Sequence, residues 1–483
     1  MNLFRFIKRL TIISIALFLC YASAGALQLP VKNVKKKECY YYKVKEGESI
    51  YDVADLLGLT KSEIVKYNSS AGDGVKKGMT LYFPVEDFGA DHEFGSAVAD
   101  LESEVPADSL DVAEVIEEPR EFRVAVCMPF MLSQEKIEKQ GEYATDFYRG
   151  FLLGVDSLRA YYNNPLLHIT AIDCFSPESL AIPANLDALN DADIIVAPEA
   201  QAQLSELEKI GLASQTYVFN VFQSRDNSQN TNPFVLQGNI PSNKMYEKAV
   251  NRYIEELNGA TPVILDNTTG KRDKQQFIDA LTLKLDEAGI EYITIKHEGT
   301  LTLSSLSNQL PETPHDYVFI SSGGSLADFQ KFATALVSMK TAYEENPEIN
   351  NTIRLFGYPE YTRFTNDAYN KLKKLGTTFY SRFYNDPQSA STEMINRSFA
   401  KRYGTSLPEG VPNQVLYGFD VAHWIIALSA KGEITRDSIG ETITDEVAQS
   451  GYIFESVEDG GFVNDSLLFV TLYPEDPTRI EVL

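Results

Sequence analysis

Cysteine, histidine and tryptophan are scarce in this chain: 483 residues hold 4 Cys, 5 His and a single Trp. No two cysteines form a CxxC pair and no histidines form HExxH or another ligand pair at helical spacing. The usual signatures of a zinc site or of thioredoxin-like chemistry are therefore missing. The G-x-S-x-G turn that exposes a hydrolase serine is absent too, as is a glycine loop ending in GK[ST] for phosphate. Basic residues are few, 43 Lys and Arg against 68 Asp and Glu, for a formal charge of −25. A nucleic-acid binder needs clustered cations to displace phosphate counterions, so nucleic acid is a poor partner. No metal, no cofactor and no enzymatic activity are expected. Carboxylates are plentiful enough that a glycan-cleaving pair stays open as an alternative, but nothing singles one out.

Long apolar runs are equally rare. One, Thr11 to Cys20, follows Arg5, Lys8 and Arg9 and precedes Ala22-Ser23-Ala24 and Ala24-Gly25-Ala26, small-x-small sites for a peptidase. Residues 1–26 thus read as a signal peptide cleaved near Ala24 to Ala26. Lipidation at Cys20 is not expected, because Leu17-Phe18-Leu19 stand where small residues precede a lipid-accepting cysteine. No other stretch approaches the roughly 18 apolar residues that span a bilayer, so the mature chain should have no transmembrane helix. Removing the signal leaves Cys39, Cys127 and Cys174. Cys127 and Cys174 end two expected strands and a disulfide between them is an alternative; buried free thiols are the preferred reading. His168 opens a strand and His423 lies on an apolar helix beside Trp424, where structural imidazoles are expected.

The length suggests about two to four domains. The first is small. Tyr42 and Val44 alternate as in a strand, and Gly47 supplies a turn. Ser49 with Asp52 has capping-box spacing ahead of the stripe Ile50, Val53, Ala54 and Leu57, which stops at Gly58. Thr60 with Glu63 repeats the device ahead of Ile64, Val65 and Tyr67; Gly78 then turns the chain into Leu81-Tyr82-Phe83-Pro84. The expected order over 40–85 is strand, helix, helix, strand. These residues, with Gly58-Leu59-Thr60 and Asn68, resemble a LysM module, a family that binds N-acetylglucosamine-containing glycans, chiefly peptidoglycan. The resemblance implies a groove formed by Gly47, Glu48, Ser49 and Ile50 on one side and Gly72, Asp73, Gly74 and Val75 on the other. Backbone groups there would pair with acetamido groups while apolar side chains cover the methyl. Glu48-Ser49 stands where Asp-Thr is usual in the family.

Residues 86–121 hold thirteen acidic residues against one Arg, with little apolar periodicity. Self-repulsion without a core predicts an extended linker.

From Phe122 short β-branched runs alternate with helix-length amphipathic segments. Expected strands are 123–127, 168–172, 193–197, 217–220, 262–265, 292–295, 317–320 and 354–356, with helices such as 143–161 and 244–257 between them. Apolar strands alternating with helices predict an α/β fold with parallel sheets covered on both faces. Val124 to Phe130, Phe147 to Leu158 and Asn413 to Ala422 resemble the opening strand and two helices of type I periplasmic binding proteins, the fold of branched-chain amino-acid receptors. That resemblance implies two lobes, one of about 122–237 and 376–455, the other of about 238–375 and 456–483. Ligands of open α/β sheets sit beyond the carboxyl ends of the strands. The cleft would then be lined by Pro129, Phe130, Glu199, Gln201, Gln223 and Ser224 from the first lobe. Asp266, Asn267, Ser322, Ser325, Tyr358 and Glu360 would face them from the second. Glu360 falls near the place where amino-acid receptors keep a carboxylate for the ligand ammonium. Pro198-Glu199, however, replaces their Ser/Thr-rich carboxylate-binding loop, which argues against a free amino acid. The glycines of Ser321 to Ser325 are expected to permit a tight turn rather than to hold phosphate, and Tyr361, Phe364, Tyr380, Phe383 and Tyr384 to pack in the core or between lobes.

The combined expectation is an exported, noncatalytic peptidoglycan-binding protein, periplasmic or cell-wall associated. Its LysM module would anchor a two-lobed domain that binds a small ligand or a partner. The alternatives are a regulator of cell-wall synthases and a solute receptor for an amino-acid or peptide transporter.

Overall fold

The computed structural model describes residues 29–94 and 121–483, apart from 35–36, 46–47, 49, 58, 60, 69–70, 72–74, 89–93, 163–164, 176–185, 387, 445–446 and 476. The chain divides into two compact units, with the boundary between Glu117 and Glu118.

The small unit contains the expected strand, helix, helix, strand, and more. Strands β1 (Val31–Val34), β2 (Lys37–Lys43) and β3 (Thr80–Pro84) form an antiparallel sheet in the order β1-β2-β3. Tyr40 and Tyr42 on β2 and Leu81 and Phe83 on β3 point one way, as strand alternation requires, and are buried. Helix Ile50–Leu57 packs Ile50, Val53, Ala54 and Leu57 into the same core, and helix Lys61–Tyr67 adds Ile64. Asn68 explains its place in the motif. Its amide donates to the carbonyls of Ile64 at 3.1 Å and Tyr82 at 3.0 Å, and its oxygen accepts the Tyr82 N–H at 2.8 Å, tying the second helix to β3.

The folded unit reaches beyond the expected module of 40–85. Leu29 and β1 extend the unit on one side. On the other, the short helix Val85–Phe88 and Phe94 fold back on it, although all but Val85 were expected in the acidic linker. Phe94 is fully buried against Tyr40, Phe83 and Phe88, with ring centroids 5.3, 5.6 and 5.5 Å away. Burying a phenylalanine contributes about 2 kcal/mol, which outweighs the weak self-repulsion of solvated carboxylates nearby.

The large unit holds two seven-stranded sheets. The first is built from β4 (Phe122–Met128), β5 (Leu167–Asp173), β6 (Ile194–Ala197), β7 (Tyr217–Asn220) and β8 (Val235–Gln237). The second takes β9 (Thr261–Asn267), β10 (Ile293–His297), β11 (Tyr317–Ser321), β12 (Ile353–Gly357) and β13 (Thr378–Ser381). The chain then returns to the first sheet with β14 (Phe454–Ser456) and β15 (Phe462–Asn464), and ends in the second with β16 (Leu468–Thr471) and β17 (Arg479–Val482). The orders are β14-β15-β8-β7-β6-β4-β5 and β10-β9-β11-β12-β13-β16-β17, parallel except at β14, β16 and β17. The eight expected strands are all present. Two lobe limits shift: β13, placed in the first lobe by the sequence reading, pairs with β12 and β16 in the second. β15, placed in the second, pairs with β8 in the first. Backbone groups of a buried strand must be paired, and only these ladders pair them.

The first lobe is organised by two helices, Lys139–Leu158 and Gln414–Ser429. The second is buried all round from Val415 to Ser429, as an evenly apolar helix must be. Gly150 and Gly154 cross Gly418 and Ala422 so closely that a β-carbon on Gly150 would lie 1.8 Å from the Val415 carbonyl oxygen. One on Gly418 would lie 1.9 Å from that of Phe147. The glycines in both stretches thus answer a spatial demand. Asn413 caps the buried helix, its side-chain oxygen accepting the Val415 and Leu416 N–H at 3.0 and 3.1 Å. His423 is the expected structural imidazole: it is buried, 2.8 Å from the Tyr162 hydroxyl, and desolvation holds it down to about 4. His168 differs, being exposed and 3.8 Å from Glu121. Cys39, Cys127 and Cys174 are buried free thiols, and burial pushes the Cys174 thiol up to about 12.

Candidate functional site

In the small unit, Glu48, Ile50 and Val75 of the expected groove are described; Gly47, Ser49, Gly72, Asp73 and Gly74 lie outside the described residues, as does the Ser49 cap. Glu48 follows the end of β2 and folds back on it. Its carboxylate accepts the Tyr42 hydroxyl at 2.7 and 2.8 Å and the Lys45 N–H at 2.7 Å, with Lys45 Nζ at 3.8 Å. Burial, then Glu48 itself, pushes the Tyr42 hydroxyl above its ordinary range, so it stays a donor. Glu48 therefore shapes the loop instead of offering a free charge. The Ile50 side chain is buried in the core cluster that also holds Val53, Ala54 and Leu57. Val75 is half-buried at the other end.

In the large unit, the expected cleft residues all lie at or just past the carboxyl ends of β4, β6, β7, β9, β11 and β12, but many are turned inward. Pro129 and Phe130 are buried, Phe130 edge-on to Tyr148 at 5.4 Å. Glu199 is exposed and its carbonyl accepts the Gln223 amide. Gln201, also exposed, donates to Asp226 at 3.2 Å; Ser224 is half-buried. Behind them Asn220, Gln237 and Gln223 close an amide ring, Gln223 N–H to Asn220 at 3.0 Å, Asn220 to Gln237 at 2.6 Å, and Gln237 to the Gln223 carbonyl at 2.5 Å. Beside Gln201, the Ser228 hydroxyl sits between two carboxylates, 2.6 Å from Glu208 and in hydrogen-bond contact with Asp226. One hydroxyl proton cannot serve both, and burial pushes the Glu208 carboxyl up to about 7.

In the second lobe the corresponding residues join a polar network. Asn267 N–H donates to Ser322 Oγ at 3.2 Å and its amide to Asp328 at 2.9 Å; Ser325 caps helix Leu326–Glu345 and donates to Asp328 at 2.6 Å. Asp266 is 3.0 Å from Arg272 Nε. Tyr358 is buried and donates to the Ser321 carbonyl at 2.6 Å. Lys274, its side chain only 11% exposed, lies over the Tyr358 ring at 5.2 Å and pairs with Glu360. Asn267, Ser322 and Tyr358 thus hydrogen-bond inside the lobe and Asp266 pairs with Arg272, while Glu360 holds the Lys274 ammonium through one oxygen and its buried Oε2 has no hydrogen-bond partner. The Ser321 to Ser325 glycines are fixed by space: a β-carbon on Gly324 would lie 2.3 Å from Lys274 Cε and one on Gly323 2.6 Å from Asp328. Lys274 was not anticipated. The only hint is the basic run Lys271-Arg272-Asp273-Lys274, and spacing does not tell which cation folds inward. The aromatic stretch packs as expected, with Tyr361, Phe364, Tyr380 and Tyr384 in the second core and Phe383 against Tyr417 at 4.9 Å.

Among the described residues no group of three or more His, Cys, Asp or Glu is placed to hold a metal, and no helix is long and apolar enough to cross a membrane.

With this geometry in hand, comparisons with known proteins assign the small unit: residues 42–84 match the family model of the LysM domain. No curated protein matches the chain. Among solved structures, a protein of Rhodospirillum rubrum described as a branched-chain amino acid ABC transporter is 12% identical over 75% of this chain and 100% of its own, with a TM-score of 0.48. A branched-chain amino acid transporter of Rhodopseudomonas palustris is 14% identical over 75% and 95%, with a TM-score of 0.42. An ABC transporter substrate-binding protein of Desulfitobacterium hafniense, in complex with Leu, is 14% identical over 75% and 100%, with a TM-score of 0.38. The mixed α/β class of the large unit rests on its own strand order, two lobes of parallel-dominated sheet covered by helices.

Proposed function

We propose that the chain is an exported, noncatalytic protein that binds peptidoglycan through its LysM unit and uses the two-lobed unit to bind a second component of the cell envelope. The match of residues 42–84 to the LysM domain carries this reading. On this reading the sugar lies beside the loops that carry Glu48 and Val75, with Glu48 holding the first loop in shape through Tyr42 and Lys45. Sedimentation with insoluble peptidoglycan tests it. The mature chain is expected to co-sediment, and a chain lacking 29–94 to lose at least about nine-tenths of that retention; equal retention of both would sink the anchoring role.

For the large unit, regulation of a cell-wall synthase is favoured over transport of a free amino acid by one observation, the Lys274–Glu360 pair. A ligand ammonium would have to displace an ammonium already seated on a lysine stem packed over Tyr358. In a thermal-shift assay, leucine, isoleucine and valine at millimolar concentration are expected to leave the unfolding midpoint unchanged. Ligand at 100 times its dissociation constant stabilises by about 2.7 kcal/mol, so a rise of several degrees with any of them would restore the receptor reading.

A further inference from the structure

Three stretches join the lobes, 238–240, 382–384 and 465–467, and they run side by side. Arg382 donates to the Ile240 carbonyl at 2.8 and 3.2 Å, linking the second to the first. Asn464, the last residue of β15 just before the third stretch, donates to the carbonyls of Gly238 at 2.8 Å and Gly451 at 3.0 Å, tying that end of the third to the first and to the segment entering β14. Where they meet lies a small cavity with about 10 Å³ of room for the centre of a water molecule, lined among others by Asn239, Arg382, Tyr417, Gly451, Tyr452 and Ser466. Two lining hydroxyls, Tyr452 Oη and Ser466 Oγ, are buried with no hydrogen-bond partner, in residues 2% and 5% exposed. Tyr452 Oη lies beside the Ser450 and Tyr417 hydroxyls but is aligned with neither.

Buried hydroxyls are seldom left unpaired, and a polar space of one water-sized sphere with two to four partners is what a structural water requires. We infer that this cavity is the site of a single resident water that bridges Tyr452 Oη on the first lobe to Ser466 Oγ on the third crossing. The water completes the seam and fixes the angle between lobes. The hydroxyls would also suit a halide, but the Arg382 guanidinium is already engaged by the Ile240 carbonyl and the Ser242 hydroxyl, which leaves an anion without its counter-charge. The space also fits no larger ligand.

High-resolution crystallography of the full mature chain tests occupancy, with and without a bromide soak. Hydrogen exchange of the crossings, compared with Ser466→Ala and Tyr452→Phe, tests the role. The expected result is one water peak within hydrogen-bond distance of both hydroxyls, no bromide signal, and about tenfold faster exchange at 238–241, 382–384 and 464–467 in each variant, with strands β4 and β9 unchanged. A site without density, a bromide peak, or variants that exchange at the original rate at the crossings would each overturn the proposal. Both substitutions remove only one oxygen, so neither depends on surviving a large change in volume.

Discussion

Gly150→Ala is expected to lower the stability of the large unit by about 3 kcal/mol or more, an effect out of proportion to one methyl group. The added β-carbon would meet the Val415 carbonyl oxygen at 1.8 Å and its carbon at 2.6 Å. Both belong to the backbone of a helix that is capped by Asn413 and buried on every side, so nothing can rotate away; the two helices must separate and open voids along a core that includes Phe147, Phe151 and Trp424. For a unit of this size the unfolding midpoint should fall by roughly 4 °C or more. Gly404→Ala is the control. Gly404 ends helix Ala390–Tyr403 at φ +74° with nothing within 4 Å of a new β-carbon, so only backbone strain applies, about 1 kcal/mol. Equal losses from the two substitutions would mean that the close helix crossing is not what holds the first lobe together.

The second large effect concerns pH. The Glu208 carboxyl rises from its ordinary 4.5 to about 7, burial being the main cause and the neighbouring Asp226 adding to it against the Ser228 bond. A folded state that holds its proton more tightly than the unfolded chain is favoured at low pH. The contribution is therefore fully present below about 4.5 and is lost as pH rises through 7, on the order of 2 kcal/mol in all. Glu208→Gln keeps the shape, lets an amide donate to Asp226, and removes the titration. The variant should be more stable than the natural chain at pH 8 and should show a flatter dependence between pH 5 and 7. Some slope will remain, because Asp420 is pushed in the same direction by burial, opposed by donors from Ala448, Gln449 and Ser450. Chemical denaturation across that range, with the variant no more stable at pH 8, would count against a proton shared at Ser228.

How much of this could be read from the sequence differs by element, for physical reasons. The helices of the small unit were legible because Ile50, Val53, Ala54 and Leu57 fall on one face and each burial is local. The eight parallel strands were legible because strands covered on both faces must be apolar throughout. β8, β14 and β15 are three residues long, too short for any period to show, and their pairing depends on where the chain returns. β1 is masked by its lysine-rich surroundings, and Phe88 and Phe94 by an acidic stretch whose composition argues for an unfolded tether. At the expected cleft, strand order was enough to put the named residues at strand ends, since those are fixed by topology. It did not reveal which polar side chains face inward, because Asn267, Ser322 and Tyr358 find partners up to sixty-one residues away, as the Asn267 contact to Asp328 illustrates. The Lys274–Glu360 pair spans eighty-six positions and has no local signature.

The anchoring claim is tested most directly by titrating the isotope-labelled mature chain with soluble oligomers of N-acetylglucosamine while following backbone amide resonances. The account expects saturable shifts at Glu48, Ile50 and Val75 and their chain neighbours, with the large unit silent, and a marked loss of affinity in Glu48→Ala that Glu48→Gln largely avoids. Resonances of the small unit that stay fixed at millimolar oligosaccharide, or that move only on the outer face of β1, would contradict it.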